Sequence, residues 1–201
     1  MTEDKREKIL NAAKNAFAQK GFTAVGIREI AKDAGLNSAT LYHYFKNKEE
    51  IYSELLEEIF NKIVEILKEI STLEMEERGR VKFAVGRYID FINENRDFLK
   101  ILVHELNLET EIVVRVAKKF YANFFSLAEE MISARKESSE TRSMNPKHLL
   151  ISGIGLCTIH FILAPLFNIL EGKDQLTDKM LEERKEAVAE LMLYGIFGDS
   201  R

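Results

Sequence analysis

The side chains best suited to chemistry lie close together in one short segment, residues 38–46. This segment carries two tyrosines, a histidine, a lysine and two hydroxyl residues. At the helical repeat of about 100° per residue, Leu41 and Phe45 fall on one side, with Tyr44 nearby. The opposite side and its flanks hold small and polar side chains, which are Ser38, Ala39, Thr40, Tyr42, His43 and Lys46.

These residue types suit the groove of duplex DNA. Serine and threonine hydroxyls can bond to bases or phosphates, and small residues allow the backbone to approach base edges. Tyrosine, histidine and lysine side chains can reach phosphate oxygens, and the start of the next helix, at Lys48, offers free N–H groups. The segment alone leaves one alternative open, in which Tyr42, His43 and Tyr44 pack on the following helix as a surface knob.

Two glycines divide the first part of the chain into the helices that position this segment. Ile9, Ala13 and Phe17 belong to an apolar stripe at helical spacing, and Gly21 stops that helix. Gly35 ends a short second helix, and Asn37 caps the third. Two short helices joined by a glycine-containing turn are typical of a helix-turn-helix. The expected helices are about Asp4–Lys20, Ile27–Ala34, Asn37–Phe45, Asn47–Ile70, Arg80–Glu94, Arg96–Leu106, Glu111–Lys136, Pro146–Leu170 (kinked near Pro165) and Asp178–Phe197.

The first fifty residues resemble the tetracycline-repressor (TetR) family of bacterial regulators. The matching pieces are Ile9-Leu10-Asn11-Ala12-Ala13, Phe17, Gly21-Phe22, Ile27-Arg28-Glu29-Ile30-Ala31, Ala34-Gly35 and the run TLYHYFKNKEE at residues 40–50. The rest of the chain is similar to the family in helix number and length, not in motifs. The resemblance implies about nine helices, with the last two forming a four-helix dimer interface.

The resemblance also implies roles for single residues. Ser38, Ala39 and Thr40 would face bases, and Arg28 would contact a base or a phosphate. The phosphate backbone would be held by Tyr42, His43, Tyr44 and Lys48. One departure is Val25-Gly26, which stands where the family often has a Thr/Ser pair that caps the second helix.

Composition favours an all-α protein without a disulfide framework. The chain of 201 residues has only two prolines and a single cysteine, Cys157, which is typical of a reducing cytoplasm. Residues 1–50 carry a net charge of +2 and the remainder −6, so a basic end is joined to an acidic body. We expect a DNA-binding domain at residues 1–47 and a ligand-binding and dimerisation domain at residues 48–201. The N-terminus carries charges and shows no apolar signal segment.

The acidic body is rich in aromatic residues, most of which are expected to fill its core. Some of them are expected to line an apolar pocket for a small, largely apolar effector. The candidate ligand-binding residues are Phe83, Tyr88, Phe91, His104, Tyr121, Phe124, Cys157, His160 and Phe161. No cofactor and no metal site are expected.

The sequence thus predicts a ligand-responsive repressor that binds a palindromic operator as a homodimer. An activator, or a DNA-binding factor of the same fold without an effector, is the alternative. An enzyme is disfavoured because Cys157 and His160 have no third ligand at metal spacing and no phosphate-binding glycine loop is present. Residues 149–170 lack charge and could span a bilayer, but burial at a subunit interface is the preferred interpretation.

Overall fold

A computed structural model describes residues 2–106, 111–133, 142 and 144–197. These residues form nine α-helices and contain no strand, so the predicted all-α fold is confirmed for the described part of the chain. The helices are α1 (Thr2–Ala24), α2 (Ile27–Asp33), α3 (Ser38–Tyr44), α4 (Lys48–Thr72), α5 (Glu77–Glu94), α6 (Arg96–Leu106), α7 (Glu111–Ser133), α8 (Pro146–Glu171) and α9 (Asp178–Phe197).

Local capping chemistry sets several of these ends. Asn145 begins α8 by accepting a hydrogen bond from the Lys147 N–H at 3.0 Å, and Pro146 occupies the first turn, where no N–H partner is needed. Gly172 ends α8 in the left-handed conformation at φ 64°. Helix α8 is continuous across Pro165.

The first helix is interrupted at Gly21, as predicted. Gly21 leaves helical geometry, with φ 75° and ψ 164°, and a short helical turn then follows to Ala24. The range given for α1 therefore includes two helical pieces on either side of Gly21. The predicted end of α7 at Lys136 lies outside the described residues.

The chain divides into two compact units. The first comprises residues 1–63 and 95–121, and the second comprises residues 64–94 and 122–201. In the first unit, α1 packs on α6 and α2, and α2 packs on α3. In the second, α9 and α8 pack on α5. The predicted domain boundary after residue 47 divides the chain by function, because in the structure the helix-turn-helix shares its compact unit with α6. The boundary therefore stays a prediction.

A buried apolar core fills each unit. In the first it includes Ile9, Ala13, Phe17, Val25, Ile30, Leu41, Phe45, Ile51 and Leu56. In the second it includes Val81, Val85, Ile89, Phe91, Cys157, Phe161, Leu181, Val188, Leu193 and Ile196.

Candidate nucleic-acid interface and regulatory site

The turn between α2 and α3 is fixed by hydrogen bonds that require a glycine at position 35. Gly35 has φ 69°, and its N–H donates to the Lys32 carbonyl at 3.0 Å. The Leu36 N–H donates to the Ala31 carbonyl at 2.8 Å, which completes a Schellman motif. Asn37 then accepts a hydrogen bond from the Thr40 N–H at 2.7 Å and starts α3. The turn therefore sets the angle at which α3 leaves α2.

Helix α3 has the two faces that its sequence predicts. Leu41 and Phe45 are buried against the rest of the unit, whereas the Tyr42 side chain is 55% exposed and His43 is exposed as well. Ala39 and Lys46 are also exposed, and the half-buried residues are Ser38, Thr40 and Tyr44. Both side chains are therefore accessible to solvent, and this exposure gives no support to the surface-knob alternative for Tyr42 and His43.

Helix α2 begins without a side-chain cap. Gly26 occupies the cap position and has no side chain that could cap the helix. This agrees with the Val25-Gly26 pair that stands where the family often has a Thr/Ser pair. Arg28 is exposed in the first turn. Beside it, Glu29 pairs with Lys20; this hydrogen bond raises the pKa of Lys20 and lowers that of Glu29. The Arg28 side chain is thus an exposed cation at this end of α2.

The Lys48 ammonium group is engaged inside the unit. It donates hydrogen bonds to the carbonyl oxygens of Phe22 at 2.7 Å and Val25 at 2.8 Å. It also lies 4.2 Å from the centroid of the Phe22 ring, within cation–π range. The first residue of α4 therefore fastens the segment that joins α1 to α2. The phosphate contact assigned to this side chain by resemblance competes with these two bonds.

The start of α4 carries a reciprocal cap. The Glu50 N–H donates to Asn47 Oδ1 at 2.8 Å, and the Glu50 carboxylate accepts the Lys46 N–H at 2.5 Å. This cap fixes the backbone that carries Lys46, whose side chain stays exposed next to α3.

Four of the candidate ligand-binding residues lie on α5 and α8 of the second unit. Tyr88 and Phe91 on α5 have ring centroids 6.2 Å apart. The buried Tyr88 hydroxyl faces Cys157 and Thr158 on α8; burial raises its pKa, and the Thr158 hydroxyl only partly opposes this. Burial also raises the pKa of the Cys157 thiol to about 11. Phe161 is buried on the same helix.

The remaining candidates are placed differently. His160 forms a 2.8 Å hydrogen bond with the Gln175 carbonyl through Nε2, and its ring contacts Phe161. Phe83 and Phe124 are half-buried, and Tyr121 is 51% exposed and falls in the first unit. The His104 side chain lies outside the described residues.

Two polar residues near this cluster were missed by the sequence analysis. Thr158 follows Cys157 on α8, and Arg184 on α9 donates to the Leu156 carbonyl at 2.5 Å through Nη2. A signal for Arg184 was present, because it lies three residues after the buried Leu181 and four before the buried Val188. That spacing puts a charged residue on the inner face of α9.

Helix α8 leaves a broad apolar face exposed in the single chain. Its exposed large side chains are Ile151, Ile159, Ile162, Leu163, Leu166, Phe167, Ile169 and Leu170, and on α9 Leu191 and Tyr194 are also exposed. By length and composition, α8 is the one helix of the described residues that could cross a membrane. A face of this size on a helix is typical of an interface.

Helix α3 is anchored by buried side chains and follows a glycine turn of fixed geometry. This arrangement is typical of helix-turn-helix DNA-binding proteins. Comparison with known proteins points to one family for the N-terminal domain. Residues 9–55 match the sequence profile described as bacterial regulatory proteins, tetR family. The N-terminal domain of the chain is therefore similar to this family.

The relatives extend the likeness beyond that domain. The uncharacterised HTH-type transcriptional regulator YdgC of Bacillus subtilis is 31% identical over 102 residues, which are 49% of this chain and 52% of YdgC. The chain thus spans about half the length of YdgC and of the HTH-type transcriptional activator FasR of Mycolicibacterium smegmatis, which is 27% identical over 57% of this chain.

Two solved structures share the fold over almost the whole chain. FadR of Bacillus subtilis in complex with stearoyl-CoA has a TM-score of 0.73 at 19% identity, covering 94% of this chain and 98% of FadR. The fatty acid degradation regulator FadR of Bacillus halodurans also has a TM-score of 0.73 at 19% identity, covering 94% of both chains. The helices after the helix-turn-helix therefore follow the arrangement seen in these regulators.

Proposed function

We propose that this chain is a transcriptional repressor that binds a palindromic operator as a homodimer and is released by a small, largely apolar effector. The observation that carries the proposal is the outer face of α3, where Tyr42 and His43 are exposed while Leu41 and Phe45 anchor the helix. A helix held in this way by a preceding helix and glycine turn is shaped to enter the major groove.

Each side chain of this face has a proposed role. Ser38, Ala39 and Thr40, in the first turn of α3, are the residues that meet base edges. Arg28 contacts a base or a phosphate from the first turn of α2. The residues proposed to contact phosphates with their side chains are Tyr42, His43, Tyr44 and Lys46. Lys48 contributes through its backbone N–H at the start of α4, because its ammonium holds the Phe22 and Val25 carbonyls.

The apolar face of α8 supports the homodimer. Leaving side chains such as Ile162, Leu166 and Phe167 in water is costly, and a second copy of the same helix buries them. A two-fold axis through α8 and α9 then presents two α3 helices to DNA. Two half-sites separated by one turn, about 34–36 Å, form a palindrome. Because its proposed target is chromosomal DNA, the protein acts in the bacterial cytoplasm.

The second unit is the proposed effector site. Tyr88, Phe91, Cys157 and Phe161 supply a mostly apolar surface with few polar groups, as expected of a small-molecule site. The solved relative that holds stearoyl-CoA supports an effector with a long apolar part. Release of DNA follows if the effector binds more tightly to a conformation whose recognition helices no longer match the operator spacing.

Selection of bound DNA from a random pool tests this function. The expected result is enrichment of a palindrome whose half-sites are one helical turn apart. Adding a medium- or long-chain acyl compound should then release the selected DNA. A reporter gene placed behind the operator should be repressed by the protein when the acyl compound is absent. A pool without an enriched palindrome would contradict the proposal, and a reporter that rises with the protein would make it an activator.

A further inference from the structure

The inner face of α9 places a cation beside buried hydroxyl groups in the second unit. Arg184 uses Nη2 to hold the Leu156 carbonyl, whereas its Nε atom is buried and has no hydrogen-bond partner among the described residues. No carboxylate of the described ranges pairs with this guanidinium. Its positive charge is therefore without a neighbouring counter-charge in that part of the chain.

A second buried polar atom lies at the same place. The Thr158 Oγ1 atom is buried and lacks a hydrogen bond of proper geometry within the described part, although the Tyr88 hydroxyl is its neighbour. A buried donor or acceptor without a partner is unfavourable, so each such atom in a folded protein calls for an explanation, such as a bound water, an ion or a ligand.

The order of residues along α8 connects these groups. Leu156, whose carbonyl receives Arg184, precedes Cys157 and Thr158 directly. The Tyr88 hydroxyl faces both Cys157 and Thr158 from α5, and Arg184 is close enough to act electrostatically on the Cys157 thiol. Three helices thus place two hydroxyls and one guanidinium along residues 156–158 of α8, and Phe91 and Phe161 are buried on α5 and α8.

We propose that this cluster binds the carboxylate of an acidic amphiphile, with Arg184 and the Thr158 and Tyr88 hydroxyls as its donors. The inference rests on the proposed effector site and narrows its ligand class from apolar compounds to acids with an apolar body. A carboxylate supplies the missing charge of Arg184 and accepts several hydrogen bonds at once. The apolar body of the ligand then lies along the aromatic side chains.

Matched pairs of ligands test this assignment. Alkanoic acids of six to sixteen carbons and arylalkanoic acids are titrated into the full chain by calorimetry, each beside its methyl ester. Since hydrogen bonds to charged groups contribute about 1.5–3 kcal/mol, the best acid should bind at least about tenfold more tightly than its ester. Equal affinity of acid and ester in every pair would overturn the proposal.

Substitutions test which residues cause the preference for acids over esters. Arg184→Met should reduce the acid-to-ester ratio to about one while ester binding persists, and Arg184→Lys, which keeps the charge, should retain part of it. Thr158→Val should weaken acid binding several-fold. Lys179→Met removes an exposed charge on the same helix and should change nothing. A ratio unaffected by Arg184→Met, including the case in which that change only weakens the dimer, would overturn the assignment.

Operator release separates this inference from the function on which it rests. If esters displace operator DNA from the wild-type protein as well as acids do, the repressor function stands and the acidic ligand class is wrong. If neither acids nor esters bind or displace DNA, the acidic ligand and the apolar effector class both fail. Release by acids only, lost in Arg184→Met, supports both.

Discussion

Helices α3 and α8 expose opposite kinds of side chain to solvent. Helix α3 buries two apolar side chains, Leu41 and Phe45, and exposes polar and aromatic ones. Helix α8 buries Cys157, Phe161 and Ala164, yet it also exposes isoleucine, leucine and phenylalanine. A polar outer face fits a polyanion such as DNA, whereas an apolar outer face fits a second copy of the chain. The comparison therefore distinguishes exposed residues of α3, proposed to contact DNA, from exposed residues of α8, proposed to form the dimer interface.

The largest effect is expected from placing a charge on the exposed face of α8. Ile162→Glu should break the dimer and, with it, operator binding, because a carboxylate would have to be buried without a partner. Light scattering coupled to gel filtration measures the mass, and a gel-shift titration measures operator affinity.

A charge change on the polar side of α9 serves as the control. Lys179→Glu should leave both the dimer and operator binding intact, because this side chain is exposed and forms only a surface pair. An Ile162→Glu protein that remains dimeric would place the interface elsewhere.

A pair of changes on α3 should separate stability from DNA recognition. Leu41→Ala should lower the free energy of unfolding by about 2–5 kcal/mol, since Leu41 is fully buried. Tyr42→Ala should leave stability within about 0.5 kcal/mol, because Tyr42 is exposed. It should nevertheless weaken operator binding about tenfold through loss of a charge-assisted hydrogen bond to phosphate. Urea denaturation measures the stability of both variants, and a gel shift measures their operator affinity. Normal operator affinity in Tyr42→Ala would show that Tyr42 makes no such phosphate contact.

Two neighbouring lysines offer a finer comparison. Lys46→Met should reduce the slope of log affinity against log salt by about one, as expected for one lost phosphate contact. Lys48→Met should lower stability and operator specificity with little change in slope, because its ammonium holds Phe22 and Val25. Fluorescence anisotropy at several salt concentrations measures both slopes. A Lys48→Met slope that falls as far as that of Lys46→Met would assign its ammonium to phosphate.

The smallest effect near neutral pH concerns Cys157. Its pKa is raised from the ordinary value of 9.0 to about 11 in the folded protein, so the folded state keeps the proton that the unfolded state loses. The stability from this group is therefore present below about pH 9 and is lost as pH rises toward 11. A thiol reagent should react slowly at pH 8 with folded protein, and Cys157→Ala should flatten the fall in stability above pH 9. Rapid labelling of the native protein would contradict the burial.

The helix-turn-helix could be predicted from sequence because its determinants are local. Gly35, Asn37 and the spacing of Leu41 and Phe45 act within a dozen residues, and the family resemblance covers the same stretch. The partners of Lys48 could not be predicted, because Phe22 and Val25 precede it by more than twenty residues and offer backbone atoms.

The proposed effector site was less predictable because it depends on how distant helices pack. Residue type alone selected Tyr121, which is exposed, together with Tyr88, which is half-buried and has a buried hydroxyl. Arg184 and Thr158 were missed, since neither residue type suggests a buried position. Periodicity indicates which face of a helix turns inward, but it does not say which helix lies opposite.

The fastening of the α1–α2 segment by Lys48 has a consequence for how this protein evolves. The start of α2 lacks a capping hydroxyl at Gly26 and is secured from another helix. We therefore expect positions 26 and 48 to be coupled: a change that removes the lysine leaves the start of α2 unsecured unless a capping hydroxyl at position 26 takes over.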